Sequence, residues 1–417
     1  MANKKSARIA FVDLLFCWPP QGGADVDLYH VLEALTGHDL DIKLYVPHFE
    51  GIMGRGVVSM PQLPFQVEIL EIPRRHQNRS AILGVLREAV TTWNPEAVIL
   101  THGYALKAHL ALALQDYPLA GRYYAHELFC ARDSLRFKNN LPCPYNYLDH
   151  ADICRRCALK TLGPQIRTGR AGAWTQEYLL AEAYARAYHS VAISALETMK
   201  RVVVYNHQLE ETLGKYRDKA MVIPGGVPTG EPSPACQSAS LFPPNKKIVF
   251  MSGRAEDPAK GLSVLIEAGA RLLRHRQDFH IVITHYDPMW RGPFFSSTGW
   301  LDHVQARALM AHATICVVPS LWQEPFGLVA VEAMMAGVPV CASDTGGLRD
   351  IVKHQDTGFL FPPGDAGALA HALEVLLDDD SRCQAMGRAG RDRACNSYTW
   401  SMVVDNYYLP LIESLLS

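Results

Sequence analysis

The chain contains two successive series of short apolar segments that alternate with helical segments, and this pattern restricts the fold more than any other feature. In the first series the candidate strands are four to six residues long, and most are rich in Val, Ile or Tyr. Such alternation predicts βαβ units and a parallel sheet. The strands predicted in the N-terminal half are 8–12, 42–46, 67–72, 97–101, 122–125 and 191–194.

The second series follows a segment rich in proline and glycine, residues 224–246, where we place a domain boundary. A chain of 417 residues is long enough for two or three domains. We therefore predict an N-terminal domain over 1–224, a C-terminal domain over 225–398 and an amphipathic tail helix over 399–417. The strands predicted in the second domain are 248–252, 280–284, 315–318, 338–342 and 359–361.

Charge and hydropathy exclude several classes of protein. The 40 Lys and Arg residues against 42 Asp and Glu give a net charge of −2, so no electrostatic footprint for nucleic acid is expected. We find no apolar run near ~18 residues, which a membrane-spanning helix needs, and no apolar signal region at the N-terminus. A reducing, cytoplasmic location is the simple expectation, in which the ten cysteines are thiols or metal ligands rather than disulfides.

The segment from Glu324 to Glu332 places two carboxylates around a Pro-Phe-Gly turn. The strand at 315–318 precedes it, and a helix over 328–335 is expected to begin after the turn. At ~1.5 Å rise per helical residue the carboxylates lie on the order of 10 Å apart. That distance is too long for a shared proton, but it suits one elongated polar ligand held at two points.

Two cations follow the first strand of the second domain, in a loop that leads into a helix. Arg254 comes after Gly253, and Lys260 lies six residues further along the chain. Backbone N–H groups and the helix dipole favour an anion at such a position, and the two side chains can neutralise a diphosphate without a metal. A solvated basic loop is the alternative interpretation.

The N-terminal half offers weaker signals at the ends of its predicted strands. Gly22 and Gly23 follow the first strand and allow close approach of a ligand, although a tight turn explains them equally well. His126 follows the predicted strand 122–125, where it is either a site residue or a structural histidine. Gly346 and Gly347 form another candidate close approach, with simple turn geometry as the alternative.

Taken together, these motifs resemble glycosyltransferase family 4, whose members are retaining, nucleotide-sugar-dependent enzymes. The resemblance covers nearly the whole chain and is most specific in the C-terminal half. The motifs that carry it are Gly22-Gly23, His126, Gly253-Arg254, Lys260-Gly261, Pro319-Ser320, Glu324-Pro-Phe-Gly with Glu332, Gly337-Val-Pro and Gly346-Gly347. The resemblance implies the α/β GT-B fold, in which two Rossmann-like, doubly wound domains face each other across a cleft and a C-terminal helix crosses back to the N-terminal domain.

The resemblance also implies roles for individual residues. Arg254 and Lys260 would hold the donor diphosphate. Glu324 would accept hydrogen bonds from the sugar hydroxyls and stabilise the oxocarbenium-like centre. Glu332 would accept hydrogen bonds from the ribose hydroxyls. The residues implied in catalysis are Glu324, His126, Arg254 and Lys260. The residues implied in donor binding are Gly22, Gly23, Gly253, Arg254, Lys260, Pro325, Phe326, Gly327, Leu328 and Glu332.

The function implied is retaining transfer of a sugar from a nucleoside diphosphate to an acceptor hydroxyl, with no catalytic metal. The acceptor is a glycan, a lipid-linked molecule or a small molecule, and nucleic acid is not a partner. Two alternatives stay open: a non-catalytic protein that binds nucleotide sugars or carbohydrates, and another enzyme on this fold, such as a nucleotide-sugar epimerase or phosphorylase.

A cysteine-rich insert over 130–157 stands apart from these motifs. Cys130, Cys143, Cys154 and Cys157 have the ligand count of a structural zinc site; free buried thiols and an iron–sulfur cluster are the alternatives. Residues 131–170 carry eight Lys or Arg against three Asp. The default interpretation is a solvated face, and the alternative is an anionic or membrane-surface acceptor, with peripheral contact at the inner membrane.

Overall fold

The computed structural model describes residues 6–50, 56–58, 63–169, 171–229 and 242–417. Two compact units account for the fold. The first comprises the chain up to Arg136 together with Cys143–Pro224 and Val403–Ser417, and the second comprises Phe137–Pro142 and Gly225–Met402. The predicted boundary segment lies partly outside the described residues, because its prolines at 232 and 234 fall there.

The first unit is built around a seven-stranded parallel sheet. Its strands are β1 (Ala7–Val12), β2 (Leu40–Phe49), β3 (Gln66–Ile72), β4 (Ala97–Leu100), β5 (Leu119–Arg122), β8 (Arg201–Val204) and β9 (Ala220–Val222). The separate hairpin of β6 (Phe137–Lys138) and β7 (Leu141–Pro142) follows β5 in the chain but belongs to the second unit. The helices are α1 (Gly23–Leu35), α2 (Arg79–Trp93), α3 (Leu106–Ala113), α4 (Ala151–Arg167), α5 (Ala173–Leu180), α6 (Tyr188–Thr198) and α7 (His207–Thr212). The strand order is β3-β2-β1-β4-β5-β8-β9.

This order reverses direction between β1 and β4, as in doubly wound nucleotide-binding sheets. The central strands are buried over their whole length, as in β4, where each of the four residues is inaccessible. Their apolar, β-branched sequences reflect the cover of helices on both faces. Helix α2 shows how local sequence sets an element: the Asn78 side chain accepts the Ala81 N–H, and Asn94 ends the helix in the left-handed conformation.

Two predicted strands of this unit are wrong. The segment 122–125 is not a strand beyond its first residue: β5 ends at Arg122, and only the Tyr123 N–H, which donates to the Val203 carbonyl at 2.8 Å, continues the pairing with β8. Residues 191–194 lie inside α6, and the neighbouring strand is β8. The buried side chains of α6, Ala192, Ala195 and Leu196, recur at helical spacing, and that spacing outweighs the short β-branched run.

The second unit repeats the architecture. Its strands are β10 (Lys247–Met251), β11 (Phe279–Ile283), β12 (Arg291–Gly292), β13 (Phe295–Ser297), β14 (Ile315–Val318), β15 (Val340–Ser343) and β16 (Gly358–Phe361). Its helices are α8 (Leu262–Leu272), α9 (His303–Met310), α10 (Leu328–Met335), α11 (Gly346–Ile351), α12 (Ala366–Asp378) and α13 (Asp380–Ser397). The strand order is β12-β13-β11-β10-β14-β15-β16, and all neighbours are parallel except β12 and β13.

The chain ends in a helical segment of three parts: α14 (Trp400–Val403), a π-helical turn (Val404–Tyr408) and α15 (Leu409–Leu416). Residues from Val403 onward belong to the first unit. The Lys200 ammonium donates to the Leu415 carbonyl at 3.4 Å, and Leu411, Ile412 and Leu415 are buried. The apolar face of α15 is therefore one of the contacts that attach the end of the chain to the first unit. Among the helices in the described ranges, none combines the length and apolar character that crossing a membrane requires.

Candidate active site

The residues with the strongest sequence signals gather at one edge of the second sheet. Strand β10 lies between β11 and β14, so the order of strands reverses beside it. In open α/β sheets, ligands bind outside the carboxyl ends of the strands at such a reversal. The loops that follow β10 and β14 carry the predicted basic residues and Glu324, and the prediction that Glu324 follows a strand and Glu332 lies within a helix is confirmed.

The loop after β10 begins with a constrained glycine. Gly253 has a φ of +111°, in the region that side chains disfavour. Its N–H donates to the Thr284 hydroxyl at 2.8 Å, and the same hydroxyl donates back to the Gly253 carbonyl at 2.6 Å. Arg254 follows with an exposed side chain that forms no ion pair with any residue that the structure describes. An exposed guanidinium on a fixed loop is available to an anionic ligand.

Lys260 is positioned by a short 3₁₀ turn, Pro258–Lys260, which the Asp257 carboxylate caps by accepting the Ala259 N–H. Gly261 then adopts a φ of +74°, and a Cβ there would lie 1.8 Å from the Pro319 carbonyl oxygen. The Leu321 N–H donates to the Ala259 carbonyl at 2.8 Å. The loops after β10 and β14 are thus joined backbone to backbone, which fixes Lys260 beside the Glu324 loop.

Lys260 and Glu324 form a close ion pair. The ammonium lies 2.6 Å from Glu324 Oε1, and the buried Ser320 hydroxyl donates to the same oxygen at 2.7 Å. The ammonium also stands 5.1 Å from the centroid of the Trp322 ring. Burial raises the pKa of Glu324, but the Lys260 charge and hydrogen bonds from Lys260, Ser320 and Trp322 outweigh it, so the pKa lies below its ordinary value. Glu324 is therefore a buried carboxylate with a fixed orientation.

Gly346 and Gly347, the first two residues of α11, pack against the turn after Glu324. The Gly347 N–H donates to the Glu324 carbonyl at 2.8 Å, and Cβ atoms at Gly346 and Gly347 would stand 2.1 and 2.2 Å from the carbonyl oxygens of Glu324 and Phe326. The close approach at these glycines is therefore to the chain's own Glu324–Phe326 backbone. Because Gly346 and Gly347 have no side chains, the Glu324–Phe326 backbone can lie directly against the start of α11.

Substitution of Gly346 by alanine tests that packing. Gly346 has a φ of +53°, and the added methyl group would clash with backbone rather than with a movable side chain. We expect destabilisation of about 1–3 kcal/mol and loss of most activity, because the Glu324 loop must shift. Thermal melting and kcat measure the two effects.

The matched control is Gly84→Ala on the exposed face of α2, where a Cβ meets no described atom within 4 Å. This variant is expected to keep wild-type activity with unchanged or slightly higher stability. Wild-type kcat and melting in Gly346→Ala would contradict the role given to the glycine.

The other predicted residues of this loop lie at the start of α10. Gly327, the residue before the helix, has a φ of +112°. Phe326 is buried, with its ring 6.0 Å from the Tyr398 ring, and it lies so close to Gly225 that a Cβ there would be 2.8 Å from it. Pro325 precedes this anchor and Leu328 begins the helix, so the positive end of α10 faces the turn after Glu324.

Glu332 lies one turn further into α10, is 7% exposed and has its Oε1 3.1 Å from Nε2 of His303 on α9. Burial raises the pKa of this carboxyl to about 8, against a smaller opposing effect of Arg307. Glu324 and Glu332 therefore have different electrostatic environments: one carboxylate is paired with a lysine, and the other is desolvated beside a histidine.

Three predicted site residues lie in the first unit. Gly22 precedes α1, and the buried Asp25 carboxylate accepts its N–H at 3.0 Å; a Cβ on Gly23 would meet no described atom within 4 Å. His126 is buried four residues after β5, and its N–H donates to the Ser134 carbonyl at 3.1 Å. Their contacts with a donor stay predictions.

The four cysteines of the insert are free thiols in the first unit. Burial raises the pKa of Cys130 to about 12, and burial together with Cys143 and Cys157 raises the pKa of Cys154 to about 11. Across the described residues, no three His, Cys, Asp or Glu side chains are grouped so that they could hold a metal ion. The structural zinc stays a prediction to which this geometry gives no support.

Four residues that contact the predicted site residues were not themselves predicted as site residues: Thr284, Ser320, Trp322 and His303. Thr284 directly follows β11, so its position after a strand was a usable signal. Ser320 and Trp322 lie in the loop before Glu324, but nothing in their spacing shows that they touch its carboxyl group. His303 lies 29 positions from Glu332 in the chain, and only the packing of α9 on α10 brings them together.

The sequence of this chain is similar to those of known glycosyltransferases. Residues 246–379 match the family described as glycosyl transferases group 1. The chain is 34% identical over 192 residues to the phosphatidyl-myo-inositol mannosyltransferase of Mycobacterium leprae (strain TN), an alignment that spans 44% of this chain and 51% of that protein. It is 26% identical over 413 residues to the MMP alpha-(1->4)-mannosyltransferase of Mycolicibacterium hassiacum, with 92% of each chain covered.

Among solved structures, sucrose-phosphate synthase from Thermosynechococcus elongatus matches with a TM-score of 0.67 at 20% identity, over 98% of this chain and 99% of the other. At that identity the match shows the fold alone. The chain spans about half the length of the M. leprae relative. The architecture of both units and the likeness to solved structures show that the chain has the GT-B fold, and residues 246–379 are similar to glycosyl transferases group 1.

Proposed function

We propose that this protein is a retaining, family 4 type glycosyltransferase that moves a sugar from a nucleoside diphosphate to an acceptor hydroxyl. The observation that carries the proposal is the Lys260–Glu324 pair, 2.6 Å apart at the strand reversal of the second unit. Arg254 adds an exposed cation to the same loop system. The cations of Arg254 and Lys260 suit the diphosphate of a nucleotide sugar, and the oriented Glu324 carboxylate suits the hydroxyl groups of its sugar.

Departure of the diphosphate is the step that these cations would assist. Negative charge develops on the phosphate oxygen as its bond to the anomeric carbon breaks. Lys260 is held by its backbone links and by Glu324, so it needs little reorganisation to meet that charge. No metal is needed for this role, since the chain supplies the positive charge.

Glu324 would act on the sugar. Its ionised carboxylate accepts hydrogen bonds from sugar hydroxyls and stabilises the positive charge that develops at the anomeric carbon. The acceptor oxygen then forms the new bond to that carbon, and its proton passes to the departing phosphate oxygen. Bond formation on the face that the diphosphate leaves retains the anomeric configuration, which ¹H NMR of the product would report.

The donor and acceptor are proposed only by class. Both relatives are named mannosyltransferases, so mannosyl donors are the first to test here. The acceptor is a glycan, a lipid-linked molecule or a small molecule that offers a hydroxyl group.

A thermal-shift panel of UDP-, GDP- and ADP-sugars tests the proposal. A ligand present at 100 times its Kd stabilises the folded protein by about 2.7 kcal/mol, which is a shift of several degrees. We expect one nucleotide class to raise the melting temperature and to support release of its diphosphate when acceptor hydroxyls are supplied.

Lys247→Ala serves as the matched control, because Lys247 also pairs with a carboxylate at 2.6 Å, that of Asp380, but starts β10 at its opposite end. Lys260→Ala should reduce the shift, because it removes one of the cations that hold the diphosphate, and Lys247→Ala should keep it. Binding without turnover would favour a carbohydrate-binding protein, and an altered sugar without acceptor would favour an epimerase. If no donor shifts the melting temperature, the proposal is wrong.

A further inference from the structure

The contact between His303 and Glu332 joins two helices of the second unit at the rim of the candidate site. His303 is the first residue of α9, and it is 46% exposed. The helix start is rigid, because Asp302 and Gln305 form a reciprocal capping box. The imidazole therefore reaches Glu332 from a fixed backbone, while the carboxyl group itself is buried in α10.

Helix α10 packs against α9, α11, α13, β14 and β15, and titratable groups that interact with Glu332 come from α9 and β14. Helix α9 presents His303 and Arg307, and strand β14 presents the buried Cys316 thiol, whose pKa is raised to about 12 by burial and then by Glu332. Since burial disfavours the charged form of Glu332, the carboxylate needs a donor from α9. His303 is the nearest candidate: its Nε2 lies 3.1 Å from Glu332 Oε1, a buried oxygen that accepts no well-aligned hydrogen bond from the described residues.

We propose that His303 is a positioning residue that fixes the Glu332 carboxylate as the acceptor for the ribose hydroxyls of the donor. The inference rests on the proposed function, which assigns the ribose to Glu332. An N–H directed from Nε2 to Oε1 would orient the carboxyl plane and leave the other oxygen for a ribose hydroxyl. Donation to the charged form would also lower the pKa of Glu332 relative to the same buried carboxyl without the histidine, so ribose affinity should depend on pH.

The existence of the pair can be tested without a nucleotide. NMR titration of the His303 ring should give a higher pKa in the wild type than in Glu332→Gln, because a nearby carboxyl group that can ionise favours the imidazolium. Equal values in the two proteins would overturn the pairing, whatever the enzyme's substrate is.

Ribose recognition is tested with UDP, GDP and ADP and their 2′-deoxy counterparts. His303→Ala should weaken the best ribonucleotide about five- to tenfold and reduce its advantage over the deoxy form. His303→Gln, which keeps a donor, should recover part of the loss. With a sugar donor, KM should rise while kcat at saturation stays unchanged, since His303 does not touch the reacting atoms.

The pH profile separates positioning from a purely structural role. Loss of the His303 donor raises the pKa of Glu332, so the rise in affinity with pH should move to higher pH in His303→Ala. The matched control is His312→Ala, an exposed histidine just beyond α9, which should leave every value unchanged. Full retention of ribose discrimination in His303→Ala would overturn the inference. A wild type that binds none of the six nucleotides would overturn both the proposed function and the ribose role, and the NMR titration would still decide whether the pair exists.

Discussion

Replacement of Lys260 by alanine is expected to lower kcat at least 100-fold, because it removes a preorganised positive charge from the site of the departing diphosphate. The same change leaves Glu324 buried beside Ser320 and Trp322 without its cation. The pKa of Glu324 should then rise, since burial is no longer offset by the ammonium. The residual activity of the variant should therefore increase with pH over a range in which the wild type is flat.

Two further variants show whether Lys260 and Glu324 act as one unit. Lys260→Arg keeps the charge but not the geometry, and it should recover only part of the loss. The double variant Lys260→Ala with Glu324→Gln should be little worse than the poorer single variant, because residues that work together are not additive. Lys247→Ala is again the control. If Lys260→Ala kept kcat within twofold of the wild type, the leaving-group role would be wrong.

The second unit was predictable in most of its elements because its local signals and its packing agree. The strand 315–318 and the helix 328–335 were placed correctly, since an apolar run, a Pro-Phe-Gly turn and a terminal glycine all point the same way. The edge position of Glu324 followed from topology alone. The contacts of its carboxyl group did not, because Lys260 reaches it through backbone links between two distant loops.

The strand boundaries of the first unit were harder to predict, since buried residues continue past the end of β5. Tyr123 and Tyr124 are buried just beyond the end of β5, and the Tyr123 N–H still donates to the Val203 carbonyl of β8, so burial and aromatic residues do not show where the strand ends. Arg122 is the last residue of β5 and is fully buried. The pattern of apolar and polar residues cannot predict that a charged residue is buried there, because its partners come from distant parts of the chain.

Those partners make Arg122 the residue whose loss should cost the most stability. Its Nη1 donates to the Ile223 carbonyl at 2.8 Å, and its Nη2 lies 3.7 Å from Oδ1 of the buried Asp27. The guanidinium stands 4.1 Å from the Tyr205 ring centroid and 5.8 Å from that of Tyr408 in the C-terminal segment. One side chain thus connects α1, the end of β5, the Ile223 backbone and the tail.

Substitution of Arg122 by methionine, which keeps much of the volume, is expected to destabilise the protein by about 3–5 kcal/mol. The loss arises because Asp27 stays buried without its counterion, where burial already raises its pKa. Adding Asp27→Asn should recover a substantial part of the loss, since it removes the uncompensated charge. Urea denaturation of the full chain, with tyrosine and tryptophan fluorescence as probe, measures both variants.

Arg87→Met provides the comparison, because Arg87 forms a 3.0 Å ion pair with Asp116 in the same unit while both side chains are more than half exposed. An exposed pair of this kind contributes at most about 1 kcal/mol, so its loss should be small. The difference between the two methionine variants compares a buried arginine that has several partners with an exposed arginine whose side chain pairs with Asp116. Equal destabilisation in both would mean that Arg122 is not what holds the tail and α1 to the sheet, and that packing of the apolar face of α15 is sufficient for this attachment.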